Sequence, residues 1–144
     1  MPLAKQTVEE ILKQSGYSST RQRRLVFDAL HAKEPMTLRQ LVASVGSHMD
    51  RASVYRTVAL FEKLGVVRRI NIGWKYKLEL SDKFIDHHHH LTCLNCHKVI
   101  AINGAELEEL ITYLSKKHHF EPTEHQIEIQ GYCTDCRKKI RITS

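Results

Sequence analysis

Four cysteines stand in two Cys-x-x-Cys pairs, Cys93/Cys96 and Cys133/Cys136, and four consecutive histidines, His87, His88, His89 and His90, lead directly into the first pair. Four thiolates suit a tetrahedral zinc ion, and a two-residue spacer lets neighbouring sulfurs reach one metal without strain. The 36 residues between Cys96 and Cys133 exceed the loop of a typical zinc ribbon. Such an ion therefore staples a late strand end back onto the histidine segment. Extracellular disulfides are the competing use of four cysteines, but the paired spacing and the absence of a secretion signal argue for metal.

In an extended segment alternate side chains share a face, so His87 and His89 point one way and His88 and His90 the other. One histidine run can then supply two ligands to each of two sites. Glu108 and His125 are candidates to join His87 and His89, giving three nitrogens and one carboxylate oxygen. That set suits zinc and also tolerates iron(II) or manganese(II). For His88 and His90 the candidate acids are Glu79, Asp82 and Asp86, among which spacing does not choose. His31, His118 and His119 read as solvated surface groups.

Charge separates these sites from the rest of the chain. Residues 1–80 carry 14 Lys/Arg against 7 Asp/Glu, a net of +7, whereas residues 81–144 carry 8 against 9. Histidines show the reverse bias, two before residue 81 and eight after it. A basic half attracts polyanions by releasing counterions from phosphates. The split points to a nucleic-acid-binding part followed by a metal-binding part. No stretch approaches eighteen apolar residues and Met1 opens no signal-like segment, so a soluble, intracellular protein without a membrane partner is expected.

The elements that position these groups follow from periodicity and caps. Val8, Ile11 and Leu12 mark a helix over 5–15 that stops at Gly16. A second begins near Ser19 or Thr20, where Ser19 and Gln22 have capping-box spacing. Thr37 and Gln40 repeat that spacing ahead of a third. Asp50 caps a fourth, with Val54, Val58, Phe61 and Leu64 at helical intervals before Gly65. Val66–Ile72 and Lys75–Leu80 read as strands of a hairpin turning at Gly73-Trp74. Beyond them, Val99–Ile102 reads as a strand. Asn103 and Glu106 cap a helix burying Leu107, Leu110, Ile111 and Leu114, with Glu108 outside that stripe. His125–Tyr132 alternates as a further strand. The expected fold is α+β: a winged helix-turn-helix domain over 1–81, a linker over 82–86, and a small α/β dimerisation and metal-binding domain over 87–144.

In a helix-turn-helix the start of the second helix enters the major groove. Here that helix opens Arg51-Ala52-Ser53-Val54-Tyr55-Arg56-Thr57. Arg51 and Arg56 can donate to phosphate or guanine, Ser53 and Thr57 to phosphate, and Tyr55 can pack on a thymine methyl. Lys13, Arg21, Arg23 and Arg24 are placed to grip the backbone. Readers of this kind are typically dimers on paired half-sites, which gives the second domain the task of pairing subunits.

Four segments together carry a family resemblance: Thr20-Arg21-Gln22-Arg23, Ala52 to Thr57, His87 to Cys96, and Gly131-Tyr132-Cys133-Thr134-Asp135-Cys136. The chain resembles the ferric uptake regulator (Fur) family of metal-dependent bacterial repressors, whose members sense iron, zinc, manganese or peroxide. The resemblance implies a cytoplasmic homodimer that binds double-stranded operator DNA when its sensory site is loaded. It implies that Cys93, Cys96, Cys133 and Cys136 hold a structural zinc, and that His87, His89, Glu108 and His125 form the site nearer the dimerisation domain. It further implies that His88 and His90 serve an interdomain sensory site, with Tyr55 and Arg56 reading DNA.

The chain departs from the family pattern at several points. Pro35-Met36 stands where a sensory histidine is often found, Ala101 replaces an acid usual in iron sensors, and Lys77 takes a wing-strand acid position. Glu79, two residues on, falls where zinc sensors often carry cysteine. These features tilt the regulatory metal toward zinc over iron(II) or manganese(II). The resulting expectation is a metal-dependent repressor controlling metal homeostasis, with no enzymatic activity and no small-molecule substrate. A zinc hydrolase would need an open coordination position and a general base, and no His-Glu-x-x-His helix is present. A passive zinc-stapled nucleic-acid-binding module is a further alternative.

Overall fold

The computed structural model describes residues 5–31 and 34–143. The chain divides into two compact units between Asp86 and His87. Among the described residues no helix is long and apolar enough to cross a membrane.

The first unit opens with α1 (Val8–Gln14). Thr7 and Glu10 form a reciprocal capping box, each side chain accepting from the other's backbone amide. Helix α2 (Arg21–His31) follows, then α3 (Leu38–Val45), which opens on the expected Thr37/Gln40 capping box. A single 3-10 turn over Gly46–His48 leads into α4 (Arg51–Lys63), where the Asp50 carboxylate accepts from the Ser53 amide at 3.1 Å. Strands β1 (Val67–Ile72) and β2 (Lys75–Leu80) pair antiparallel from Val67↔Leu80 to Ile72↔Lys75. Met36 adds a bridge to Leu78, which ties the hairpin to the segment ahead of α3.

One expected cap is shifted. Thr20, not Ser19, caps α2, accepting from the Arg23 amide at 3.2 Å. Ser19 and Gln22 make no capping box, because the helix starts one residue later than that spacing requires.

Apolar burial concentrates in this unit. Leu12, Val26, Leu41, Val54, Phe61, Val66, Leu78 and Leu80 are almost wholly enclosed, and the entire core cluster lies between Val8 and Leu80. Burying one such side chain stabilises by about 1.5–3 kcal/mol. This packing fixes α4 from beneath, so that residues 53, 54, 57, 58 and 61 face inward while Arg51, Ala52, Tyr55, Arg56 and Ala59 face out. Residues 82–86 also pack on the first unit, with Phe84 edge-on to Phe27 at 5.0 Å between ring centroids.

The second unit is a three-stranded sheet in the order β4-β3-β5, with a crossover helix. Strand β3 (His89–Cys93) lies centrally, antiparallel to β4 (Val99–Ile102) and parallel to β5 (Glu128–Gly131). Helix α5 (Ala105–Lys117) connects β4 to β5, and α6 (Thr134–Thr143) closes the chain. Together the units make an α+β protein with an N-terminal helix-turn-helix and hairpin followed by a small α/β unit.

Three expectations fail here. Helix α5 starts from Gly104 with no side-chain cap, so Asn103 lies one residue too early to act. Strand β5 covers only 128–131 of the expected 125–132, leaving His125 in the approach to it. The apolar stripe of α5 is not buried either: Leu110 is 51% and Leu114 44% exposed, beside Tyr113 at 60%. Leu107 and Ile111 of the same stripe are half-buried.

Candidate metal centres and nucleic-acid interface

The four-cysteine cluster is assembled by strand register. Cys93 ends β3 opposite Gly131 of the parallel β5, and Cys133 follows two residues later. Cys133 immediately precedes α6 and its carbonyl accepts from the Arg137 amide, so Cys133 stands at the cap position and Cys136 in the first turn of that helix. Helix N-termini favour thiolate. On the other side, His97 at φ 62 reverses the chain after Cys96. The four sulfurs lie within 4.8 Å of one another. Cys96 and Cys133 are 3.8 Å apart, which equals the edge of about 3.8 Å expected for a tetrahedron with Zn–S bonds of about 2.3 Å. All four are free thiols.

Protonation differs among the four thiols. Burial opposes ionisation of Cys93, yet amide hydrogen bonds from Cys133, Cys96 and Asn95 outweigh it and bring the thiol down to about 6. At Cys136 the Asn95 side-chain amide, 3.2 Å away, favours the thiolate, but burial and the three neighbouring sulfurs together push it up to about 11. One thiolate therefore forms readily and the last resists. Four sulfurs so placed could hold a divalent ion of zinc's softness, which would let all four ionise together.

The second cluster is built around Glu108 in the first turns of α5. His89 Nε2 lies 2.7 Å from Glu108 Oε1, His87 Nε2 3.2 Å from the same oxygen, and His125 Nε2 2.9 Å from Oε2. His87 and His125 approach at 3.0 Å between their Nε2 atoms. His89 is buried, and the Ile127 amide donates to its Nδ1 at 3.2 Å, fixing the ring. A tetrahedral ion with bonds near 2.0–2.1 Å separates its ligand atoms by about 3.3 Å. The four groups are already close to that spacing. Hydrogen bonds from His89 and His125, aided by the charges of His125 and His87, hold the Glu108 carboxyl down to about 2 against the opposing effect of burial. It is a ready anionic ligand.

On the opposite side of the histidine run, the His88 and His90 rings meet edge to face, 4.7 Å between centroids. The expected alternation of the run is therefore realised. Glu79, on β2 of the first unit, accepts from Arg68 Nε at 3.1 Å and Nη2 at 3.0 Å, and the same guanidinium reaches Asp82 at 2.9 Å. Asp86 pairs with Lys5 at 3.1 Å.

On the first unit, α4 presents Arg51, Tyr55 and Arg56 to solvent. Arg51 Nε donates to the Tyr55 hydroxyl at 2.9 Å and stacks over its ring at 5.4 Å. Tyr55 is therefore a surface residue, not core. Arg56 donates to Ser53 Oγ at 3.1 Å and, with Arg23, lines a cleft of about 230 Å3 between α2 and α4. Lys13 and Arg21 are exposed, and Arg23 stacks over Tyr17. Arg24 is paired with Glu9 at 3.1 Å. Ser53 and Thr57 are buried, and their hydroxyls donate to Asp50 and to the Ser53 carbonyl. They order the helix start rather than offering a free donor.

The sequence model of the ferric uptake regulator family matches residues 14–130. The chain belongs to the ferric uptake regulator family. It is 30% identical over 143 residues to the ferric uptake regulation protein of Campylobacter upsaliensis, covering 93% of this chain and 89% of that one. In fold it is similar to the Helicobacter pylori ferric uptake regulator, with a TM-score of 0.76 at 22% identity over 92% of this chain and 95% of the other. A zinc-bound manganese uptake regulator is also similar, at TM-score 0.65 and 28% identity over 89% and 99%. The chain is thus a metal-responsive transcription regulator and not an enzyme.

For this Fur family chain, two side chains at the sites escaped the sequence reading. Asn95 reaches Cys136 from within the first Cys-x-x-Cys, a donor hidden because asparagine in a tight turn reads only as a turn former. Arg68 stands directly across the hairpin from Glu79, a pairing that the hairpin register Ile72↔Lys75 would have revealed.

Proposed function

We propose that this protein is a homodimeric repressor, working in the bacterial cytoplasm, that binds operator DNA when its regulatory metal is replete and so controls metal homeostasis. In this reading Cys93, Cys96, Cys133 and Cys136 hold a structural zinc. His87, His89, Glu108 and His125 hold a second divalent ion, and His88 and His90 with Glu79 form the interdomain sensory site. The regulatory metal is zinc, in preference to iron(II) or manganese(II). The observation that carries the reading is the convergence of three imidazole nitrogens on one ionised carboxylate, all within 3.2 Å. An ion there supplies a charge and a crosslink between β3, α5 and the approach to β5. The chain's own residues do the rest: Glu108 stays ionised, and His89 is held in place by the Ile127 amide.

Two further observations support the reading. The outward face of α4 carries Arg51, Tyr55 and Arg56 on a unit of strong positive charge, which suits a duplex. The exposed Leu110, Tyr113 and Leu114 of α5, with Ile100, Ile129 and Tyr132, form apolar surface that a second copy would cover.

The test is a titration of a fluorescent duplex, selected from a random pool by the protein itself, with zinc, iron(II) and manganese(II), alongside metal analysis of the isolated protein. Zinc is expected to give the tightest complex, with one ion retained per chain before any is added. Equal binding in the presence and absence of the added ion would refute the switch.

A further inference from the structure

We infer that the tip of the β1–β2 hairpin, Trp74 with Lys75, is a second DNA-contacting element that seats against a deoxyribose and its phosphate beside the groove entered by α4. The inference rests on the proposed operator binding and adds to it a surface of its own.

Trp74 is the sole tryptophan of the chain, and it is 89% exposed. No other large apolar side chain among the described residues is so open to water. Its exposure is built into the turn. The register closes at Ile72↔Lys75, which leaves Gly73 and Trp74 as a two-residue loop. Gly73 takes φ 61 while Trp74 does not have positive φ, the arrangement of a type II′ hairpin. Glycine is demanded at the first position and any residue is accepted at the second. A polar residue would serve the turn equally well, so the indole is not there for folding.

The chemistry beside it indicates the occupant. Lys75 Nζ lies 4.9 Å from the centre of the indole, which places an ammonium and a flat apolar plate together at the tip. The hairpin from 67 to 80 carries Arg68, Arg69, Lys75 and Lys77 against Glu79 alone. Arg69 is engaged by Glu62 and Tyr76, and Arg68 by Glu79 and Asp82, but Lys75 faces open solvent. A sugar-phosphate backbone offers the matching pair, an apolar sugar face and an anion. Six residues per strand give the hairpin a reach of about 20 Å, enough to pass from a helix in a major groove about 12 Å wide to the neighbouring backbone. The base of the hairpin follows α4 directly, so the two elements belong to one rigid unit. Because the contact is to sugar and phosphate, it positions the protein and does not discriminate sequence.

The single tryptophan is also the reporter. The zinc-loaded full-length protein is titrated with a selected duplex about 30 base pairs long. Complex formation is followed by anisotropy of a dye on the DNA, and Trp74 by acrylamide quenching. Quenching is expected to fall by about threefold or more in the complex. Trp74→Ala should weaken binding about tenfold on selected and random duplexes alike, Trp74→Phe should restore most of the loss, and Lys75→Ala should lower the salt dependence by about one counterion. Thermal melting of each variant should match the parent. Unchanged quenching in a complex that anisotropy shows has formed would overturn the inference while leaving the operator reading intact. No anisotropy rise with any metal would remove the operator reading, and this one with it. Protection of Trp74 by anionic lipid vesicles but not by the duplex would also overturn it, assigning the tip to a membrane surface.

Discussion

Replacing Cys93 by Ser should unfold the second unit while sparing the first. Sixteen apolar side chains make up the buried core cluster of the described residues, all between Val8 and Leu80. At about 1.5–3 kcal/mol each they contribute roughly 25–50 kcal/mol of gross burial to the first unit. From His87 onward the buried residues among those described are His89, His90, Thr92, Cys93 and Cys136, which are proposed ligands apart from Thr92. A structural zinc contributes about 10–16 kcal/mol in small zinc-dependent folds, as much as the whole net stability of an ordinary domain, about 5–15 kcal/mol. Losing one of its thiolates should therefore exceed what the remaining contacts of the second unit supply. Hydrogen exchange read by mass spectrometry separates the two parts. In Cys93→Ser, amides of 89–93 and 128–131 should exchange as in an unfolded chain, while those of α2 and α4 keep their protection. Chelation of zinc from the parent protein should reproduce the pattern. Persistent protection of 89–93 in protein shown to be zinc-free would refute the argument, because the sheet would then be standing without its metal.

Other expectations follow from the same geometry. Phe61→Ala, at a wholly buried position, should cost about 3–5 kcal/mol and lower the melting of the first unit, leaving metal content unchanged. Arg56→Ala should weaken specific DNA binding by about 1–3 kcal/mol if its guanidinium reads a base edge; an unchanged ratio of specific to non-specific affinity would show that it does not. Affinity for the second ion should fall over the mildly acidic range, since imidazoles must be neutral to ligate. Glu108 stays ionised throughout that range because its carboxyl is held down to about 2, so Glu108→Gln should lower affinity without changing the pH slope, as calorimetry can read. Leu110→Glu should shift the protein toward monomer in analytical ultracentrifugation.

Much of this arrangement was legible in the residue pattern because local physics decides it. Thr37 with Gln40, and Asp50 ahead of α4, announce helix starts through caps that act within one turn. The division of the histidine run into two faces needs only strand pleating. Ligand spacing within each Cys-x-x-Cys is equally local. What escaped depends on distant partners. Parallel pairing of β3 with β5 brings Gly131 beside Cys93, and no local signal carries that register. The stripe on α5 has helical period, yet periodicity says only that a face is apolar, not which surface covers it. The place of Tyr55 outside the core follows from the phase of α4 set by Val54, Val58 and Phe61.

The contrast between the units bears on how such a regulator can respond to metal at all. A sensor changes state only by as much as its ligand binds one state better than another. A unit held by a large apolar core is indifferent to a few kcal/mol from an ion, because its stability exceeds that amount in either state. The second unit is different: its sheet is lined by imidazoles and thiols, and Leu110 and Leu114 of the apolar stripe of α5 lie open. Metal binding and burial of that stripe are then linked, since an ordered sheet is needed to present the face and a covered face favours the ordered sheet. Zinc affinity should accordingly rise with protein concentration across the dimerisation range in the parent and lose that dependence in Leu110→Glu. A concentration-independent affinity in both would mean that the second unit is ordered by its metal alone.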